Sequence, residues 1–141
     1  MAAFNKFQQF AEDLGKKVHN LDADTLKILL SNAAPDAAAD AVRADLTSEL
    51  STGGGYTSGG AALSSVDYEQ TGGTAALSAT DLVFTASGGT IGPFRYAVLY
   101  NDTPTSPADP LIGWWDYGSS ITLADGETFT VDFGSNILTI A

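Results

Sequence analysis

The stretch GPFRYAVLYND, residues 92–102, predicts a β-strand that carries apolar side chains on both of its faces. Alternation along the strand assigns four residues to one face: Phe94, Tyr96, Val98 and Tyr100. The other face carries Ala97 and Leu99 next to Arg95. A strand that is apolar on both faces is covered on both sides. We therefore predict that residues 94–100 form the central strand of a sheet on which a second layer docks.

The rest of the chain alternates between short apolar stretches and turn-forming residues, with 15 glycines in 141 residues. A first strand is predicted within residues 24–35, where Pro35 ends the run. From residue 61 onward, predicted strands follow one another with no helical pattern between them, in the segments 61–70, 74–86, 94–100, 111–118 and 119–133. Such spacing is typical of antiparallel sandwiches. We predict a mainly β fold, an antiparallel, jelly-roll-like β-sandwich over residues 21–141.

Residues 3–14 predict a short N-terminal α-helix, because large apolar side chains recur there at helical spacing. The residues that define this apolar face are Phe4, Phe7, Phe10 and Leu14. A helix this short with three phenylalanines needs a cover. Two covers fit the pattern: the protein's own sheet, or a neighbouring subunit on which residues 1–20 dock as an arm.

The segment before residue 61 is less regular. Residues 33–50 are rich in alanine, which allows either a helix or a long loop. Residues 51–60, STGGGYTSGG, predict a glycine-rich loop. These glycines lack the lysine and the strand-to-helix setting that a phosphate-binding loop requires.

The last predicted hairpin allows a test of register. A three-residue loop over 124–126, with its glycine in the left-handed conformation, places the apolar side chains on one face. In that register Ile121 lies opposite Phe129, and Tyr117 lies opposite Phe133. We predict this loop and a sheet with one buried and one solvated face.

Composition and charge exclude several classes of function. The net charge is −11, and five of the six basic residues lie within residues 1–43. The acidic remainder repels nucleic acid and anionic lipid, so neither is an expected partner. The leading residues also lack the continuous apolar core of a signal peptide. There is no cysteine, which removes disulfides and thiolate chemistry.

Catalytic patterns are scarce in this sequence. His19 is the only histidine, so triads with a histidine base and histidine-rich metal sites are excluded by counting. Asp22 and Asp24 have the spacing of part of a calcium loop, but its glycine and final glutamate are missing, which favours turn and capping roles. We expect a protein that is not an enzyme and that holds no metal or cofactor.

Trp114 and Arg95 are the remaining candidates for a site. Trp114 and its neighbour Trp115 face opposite sides of a predicted strand, and Trp114 points outward or into a second layer. It is covered by the loop 101–110, anchors a subunit contact, or forms an aromatic platform for sugars. Arg95, isolated in an acidic region, pairs with a carboxylate within or between subunits, and Asp116 or Asp81 could serve.

Four blocks of the sequence together resemble a family of small virion structural proteins of tailed bacteriophages. The blocks are NKFQQFAEDLGKKVHNLDADTLKILLSNAAP (5–35), GYTSGGAAL (55–63), LVFTASGGTIGPFRYAVLYND (82–102) and LIGWWDYGSSITLADGETFTVDF (111–133). They cover most of the chain, and no catalytic motif accompanies them. The resemblance implies a β-sandwich-like domain that coats or joins phage particles.

From this resemblance we expect a capsid decoration, or cement, protein in the virion that binds the major capsid protein and itself as a trimer. The candidate contacts to shell or neighbour are Phe4, Phe7, Phe10, Leu14, Arg95 and Trp114. Two alternatives remain at this stage. One is a structural protein of the tail tube or tip, and the other is a carbohydrate-binding module that uses Trp114.

Overall fold

The computed structural model describes residues 2–141 as a mainly β fold with antiparallel sheets and one short N-terminal helix. Its elements in chain order are β1 (Asn5–Lys6), α1 (Gln8–Gly15), β2 (Leu26–Ser31), a 3₁₀ helix (Arg43–Asp45), β3 (Ala61–Ala62), β4 (Asp67–Thr71), β5 (Thr74–Ser78), β6 (Leu82–Thr85), β7 (Ile91–Asn101), β8 (Leu111–Leu123), β9 (Thr128–Val131) and β10 (Leu138–Ile140). The predicted mainly β fold with a short N-terminal helix is confirmed, and the sheets are arranged as in a β-sandwich.

Residues 2–141 form three sheets. The largest has the order β1-β8-β7-β2-β3, a second has the order β10-β5-β4, and β6 pairs with β9 alone. All of these strand pairs are antiparallel. β7 is the middle strand of the five-stranded sheet, as its two apolar faces predicted.

Each face of the five-stranded sheet has its own apolar cluster. The inner core lies between this sheet and the two smaller ones and includes Phe10, Ile28, Leu77, Phe94, Leu99 and Phe133. The outer cluster lies on the opposite face and contains Phe7, Leu29, Val98, Tyr100 and Leu111, with Leu46 and Trp114 packed against it. The prediction that a second layer covers β7 is therefore confirmed.

One detail of the β7 prediction is wrong. Phe94 belongs to the inner core with Ala97 and Leu99, whereas Val98 and Tyr100 belong to the outer cluster. The pairing of β7 with β8 shifts register on both sides of Phe94. An irregularity of this kind inserts an extra residue and reverses the side on which later side chains point.

The segment 33–60 is a chain of turns with the 3₁₀ helix as its only helical element; it covers the outer cluster through Leu46, while its Tyr56 belongs to the inner core. Of the two alternatives for 33–50, the loop is the one found. The Glu49 carboxylate holds this segment together: it accepts hydrogen bonds from Arg43 Nε at 2.9 Å and from the Tyr56 hydroxyl at 3.1 Å. The same hydroxyl accepts from the Leu30 amide in β2 at 3.1 Å, so the cover is fastened to the sheet.

The N-terminal segment is shorter in helix than predicted. Residues 5–6 pair with Gly113 and Trp114 of β8 instead of forming helix, and α1 begins only at Gln8. Gly113 permits this approach, because a Cβ there would overlap the ring of Phe4. Strand pairing at the edge of β8 therefore replaces the first helical turn.

The predicted hairpin over residues 119–133 is wrong. β8 continues to Leu123 and pairs Ile121 with Phe94 of β7, while β9 pairs Phe129 with Phe84 of β6. The turn itself has the expected glycine conformation, with Gly126 at φ +88°. The turn therefore passes the chain from one sheet to another and does not join two paired strands.

Candidate functional site

The N-terminal residues predicted to contact a shell or a neighbour lie against the chain's own body. Phe7 and Phe10 are buried, at 0% and 3% exposure. Phe4 and Leu14 are half-buried and pack against the inner core. The four do not share one face, because Phe7 enters the outer cluster and the others face the inner core. Residues 2–20 are thus built into the sandwich, which is the first of the two covers considered.

Trp114 is half-buried and packs on the ring of Phe7, with ring centroids 4.6 Å apart. Its cover is the N-terminal segment, and not the loop 101–110 that was one of the three alternatives. A sugar platform needs an open indole face, and the Phe7 contact occupies part of this one.

Arg95 forms a two-bond ion pair with Asp116 across the β7–β8 ladder. Its Nε donates to Asp116 Oδ1 at 2.8 Å and its Nη2 donates to Oδ2 at 3.0 Å. This geometry matches the planar fork of a guanidinium to a carboxylate, and the guanidinium holds the pKa of Asp116 below its ordinary value. Of the two predicted acids, Asp116 is the partner, while Asp81 instead accepts the amide hydrogen of Phe133 at 2.9 Å.

An apolar groove opens beside this ion pair, between β8 of the large sheet and β9 of the small one. We call it the β8–β9 groove. Its apolar walls come from Ala2, Ala97, Trp115, Tyr117, Phe129 and Val131. Arg95 and Asp132 also line it, and its volume is about 190 Å³. An engineered protein cavity of roughly 150 Å³ takes up benzene, so this groove has room for one large apolar side chain.

The aromatic side chains of the groove are ordered by contacts with one another. Phe129 packs edge-on against Phe94 at 4.9 Å and against Tyr117 at 5.6 Å between ring centroids. Tyr117 is 55% exposed, the highest value among the large apolar side chains that the structure describes. The groove is thus a preformed surface with one aromatic ring standing out of it.

An outward bulge in β8 exposes Tyr117. Between the pairs Tyr96–Asp116 and Phe94–Ile121, β7 advances by two residues and β8 by five. The four β8 residues between these pairs, 117–120, are all exposed, and Gly118 has φ +102°. Bulges often re-aim side chains at functional sites, and this one turns Tyr117 from the predicted core position to the groove.

The edge of β9 that faces the groove is unpaired. In an antiparallel pair, alternate residues direct their N–H and C=O groups toward the partner strand. The Ala86 amide donates to the Glu127 carbonyl at 2.9 Å, so the odd-numbered residues of β9 face β6. The backbone groups of Thr128 and Thr130 therefore face the other way, where no strand in residues 2–141 pairs with them.

His19 belongs to a buried polar cluster at a distance in sequence from the groove residues. Asn101 Nδ2 donates to His19 Nδ1 at 3.1 Å and to Asp24 Oδ2 at 2.7 Å, and Asn101 Oδ1 accepts from the Thr103 amide at 3.1 Å. These bonds fix the amide orientation and leave Nδ1 as an acceptor. Burial lowers the pKa of His19, against the opposing charges of Asp13 and Asp24.

The acidic residues around His19 have structural partners of their own. Asp24 accepts from the Asn20 amide at 2.9 Å within its own turn, as predicted, whereas Asp22 accepts from the Tyr68 amide of β4 at 3.2 Å. Over residues 2–141, no group of three or more histidine and acidic side chains has the arrangement of a metal site.

Comparisons with known proteins add no relative: no family model, no curated protein and no solved structure matches this chain. No helix within the described range is long and apolar enough to cross a membrane. The features of the site therefore rest on the chain's own geometry.

Sequence reasoning placed the groove residues only in part. Arg95 was expected to pair with Asp116 or Asp81, and Asp116 is the partner, but Tyr117 and Phe129 were assigned to a buried hairpin face. The glycine and two serines after Tyr117 were a usable signal, because glycine inside a strand often marks a bulge. The free edge of β9 had no local signal, since it depends on which distant strand pairs with β9.

Proposed function

We propose that this protein is a structural component of a bacteriophage virion, a decoration protein that binds the major capsid protein on the head surface as a homotrimer. In this proposal the protein acts by binding to the capsid and does not catalyse a reaction. The resemblance of the four sequence blocks supports the virion assignment. The observation that supports a docking role is the aromatic β8–β9 groove beside an unpaired strand edge.

We assign the attachment site to this groove and not to the N-terminal residues that the sequence suggested. Phe7 and Phe10 already serve the chain's own clusters, whereas Tyr117 and the half-buried Trp115 and Phe129 border an open groove. Exposed aromatic side chains in preformed pockets are frequent anchors of protein interfaces. The Arg95–Asp116 pair lies beside them and suits the polar rim of such an interface.

Particle binding tests the proposal directly. Purified virions from the cells that encode this chain are probed by mass spectrometry for its peptides and by immunogold microscopy for its position. The chain is expected on the head. Label on the tail alone would assign it to the tail tube or tip, and its absence from purified particles would refute a virion role.

The oligomeric state provides a second test. Light scattering of the purified protein is expected to give a closed assembly of three 14.6 kDa chains. Open polymers would support a tube-forming tail protein, because a head-to-tail contact that does not close by rotation grows without limit.

A further inference from the structure

We propose that the free edge of β9 and the β8–β9 groove form one docking site for an extended, basic segment of a partner protein. The segment adds a strand to β9 and inserts one apolar side chain into the groove. The inference deepens the proposed function by naming the kind of segment that is bound, and it rests on that function for placing the partner in a virion.

The edge of β9 lacks most of the features that protect strand edges. Exposed edges are commonly guarded by short length, lysine, proline, an inward charge or a bulge, and of these β9 has only its short length. The four residues of β9, TFTV, contain neither lysine nor proline, and their pairing with β6 is regular. Thr128 and Thr130 are exposed and present their backbone groups to an added strand. Addition of a strand to such an edge is a common mode of peptide recognition.

The groove lies beside the same edge, because Thr130 and Val131 of β9 line it together with Trp115 and Tyr117 of β8. A strand paired with β9 directs every second side chain toward one face. One of these side chains falls over the groove, whose volume of about 190 Å³ suits a residue such as leucine or phenylalanine. The edge therefore supplies backbone hydrogen bonds, and the groove selects an apolar residue.

The charges around the site favour a basic partner. Arg95 is already paired with Asp116 at 2.8 Å, so that Asp132 is the charge without an ion-pair partner among the lining residues that the structure describes. The turn that leads into β9 adds the exposed carboxylates of Asp125 and Glu127. Lysine or arginine beside the apolar residue of the partner complements this charge, which raises both specificity and association rate.

The same charges disfavour a second copy of this chain as the occupant. Self-pairing of two β9 edges brings the carboxylates of both copies into one short interface, in a protein whose net charge is −11. Like charges across an interface oppose the contact. The structure therefore points to a segment of a different protein.

The test is selection of a random displayed peptide library on the immobilised full-length protein, followed by affinity measurements with the enriched peptides. We expect enrichment of alternating apolar residues flanked by lysine or arginine, with affinities that fall as salt increases. Amide shifts in NMR spectra should localise binding to Thr128–Val131 and to Trp115 and Tyr117.

Two variants on the site and one matched control sharpen the result. Thr130→Pro removes an amide on the free edge, and Tyr117→Ser removes an exposed ring without touching the core. Val83→Pro is the control, because Val83 pairs with Thr130 and faces the opposite edge of the same two-stranded sheet. We expect affinity to fall at least about tenfold in each site variant and to change by less than about twofold in the control. Thermal melting of each protein verifies folding, and Tyr117→Ser decides the matter if a proline variant fails to fold.

Several outcomes would overturn the inference. They are no enrichment at all, enrichment of acidic peptides, or equal binding by wild type and Tyr117→Ser. Concentration-dependent association that Thr130→Pro abolishes and Val83→Pro retains would assign the edge to a second copy instead. Because the selection uses only the isolated protein, peptide binding without any trace of the chain in virions would refute the proposed function and leave this site in place.

Discussion

The two sides of β7 differ in how completely the sheet is closed. Toward β2, six consecutive residue pairs run without a shift, and most β2 side chains are buried on both faces. Toward β8, the register shifts three times, and β8 forms an exposed bulge next to the β8–β9 groove. The β2–β7 half secures the fold, and the β8–β9 side is free to meet a partner. Functional surfaces are commonly built from such less closed regions on a rigid scaffold.

The largest expected contrast between the two sides comes from two glycines with positive φ. Gly60 has φ +78°, and a Cβ there would overlap the Ile28 carbonyl of β2, whereas Gly118, at φ +102° in the bulge, has open space around it. Gly60→Ala should cost about 3–5 kcal/mol of unfolding free energy, and Gly118→Ala about 1–2 kcal/mol from backbone strain alone. Urea titrations measure both, and equal losses would contradict the assignment of a closed and an open side.

Truncation of a fully buried and of a half-buried phenylalanine gives the next largest effect. Phe7→Ala empties a fully buried site against Trp114, with an expected loss of about 3–4 kcal/mol. Phe129→Ala acts in the half-open groove and should cost about 1–2 kcal/mol. If Phe7→Ala cost no more than Phe129→Ala, the N-terminal segment would be a detachable arm and not a part of the sandwich.

The free energy of unfolding should depend on pH through His19, which contacts Asn101 at the end of β7. The pKa of His19 is lowered by burial below its ordinary value of 6.5, so the unfolded chain takes up the proton first as the pH falls. The stability linked to His19 is therefore complete above pH 6.5 and declines below it. Unfolding free energies of the wild type should fall more steeply between pH 7 and pH 5 than those of His19→Gln. Parallel pH profiles would show that His19 does not titrate differently on folding.

The smallest effect on stability is expected at the Arg95–Asp116 pair. The pair is solvent-exposed, and such pairs contribute little to folding. Arg95→Gln should leave the urea midpoint nearly unchanged and raise the pKa of Asp116 toward its ordinary value, as followed by NMR titration. The Gly118 amide, which donates to Asp116 Oδ1 at 2.8 Å, retains part of the pKa shift. A large loss of unfolding free energy would show that this pair is needed for the fold and is not only a feature of the open surface.

The regular half of the molecule could be predicted because its signals are local. The two apolar faces of residues 94–100 correctly indicated a central strand, and the apolar run before Pro35 correctly indicated a strand at β2. The opposite placement of Phe94 could not be foreseen, because the register shifts beside it arise from pairing with β8. Helical spacing of Phe4, Phe7 and Phe10 was misleading, since pairing with the edge of β8 was available to residues 5–6.

The candidate site was harder to predict for the same reason. The loop over 124–126 was placed correctly, but its two flanking strands have different partners. A β6–β9 pair and a continuous β8 are decided by contacts between residues far apart in sequence. The register predicted from the hairpin therefore placed Tyr117 and Phe129 on the buried face of one sheet, whereas in the structure both line an open groove.

A cryo-electron microscopy map of the particle at side-chain resolution tests the central claim most directly. We predict this chain on the head surface, with a strand of a neighbouring protein paired to Thr128–Val131 and an apolar side chain seated between Trp115 and Phe129. A map in which the chain touches the particle through other surfaces, while the β9 edge and the groove face solvent, would contradict the account.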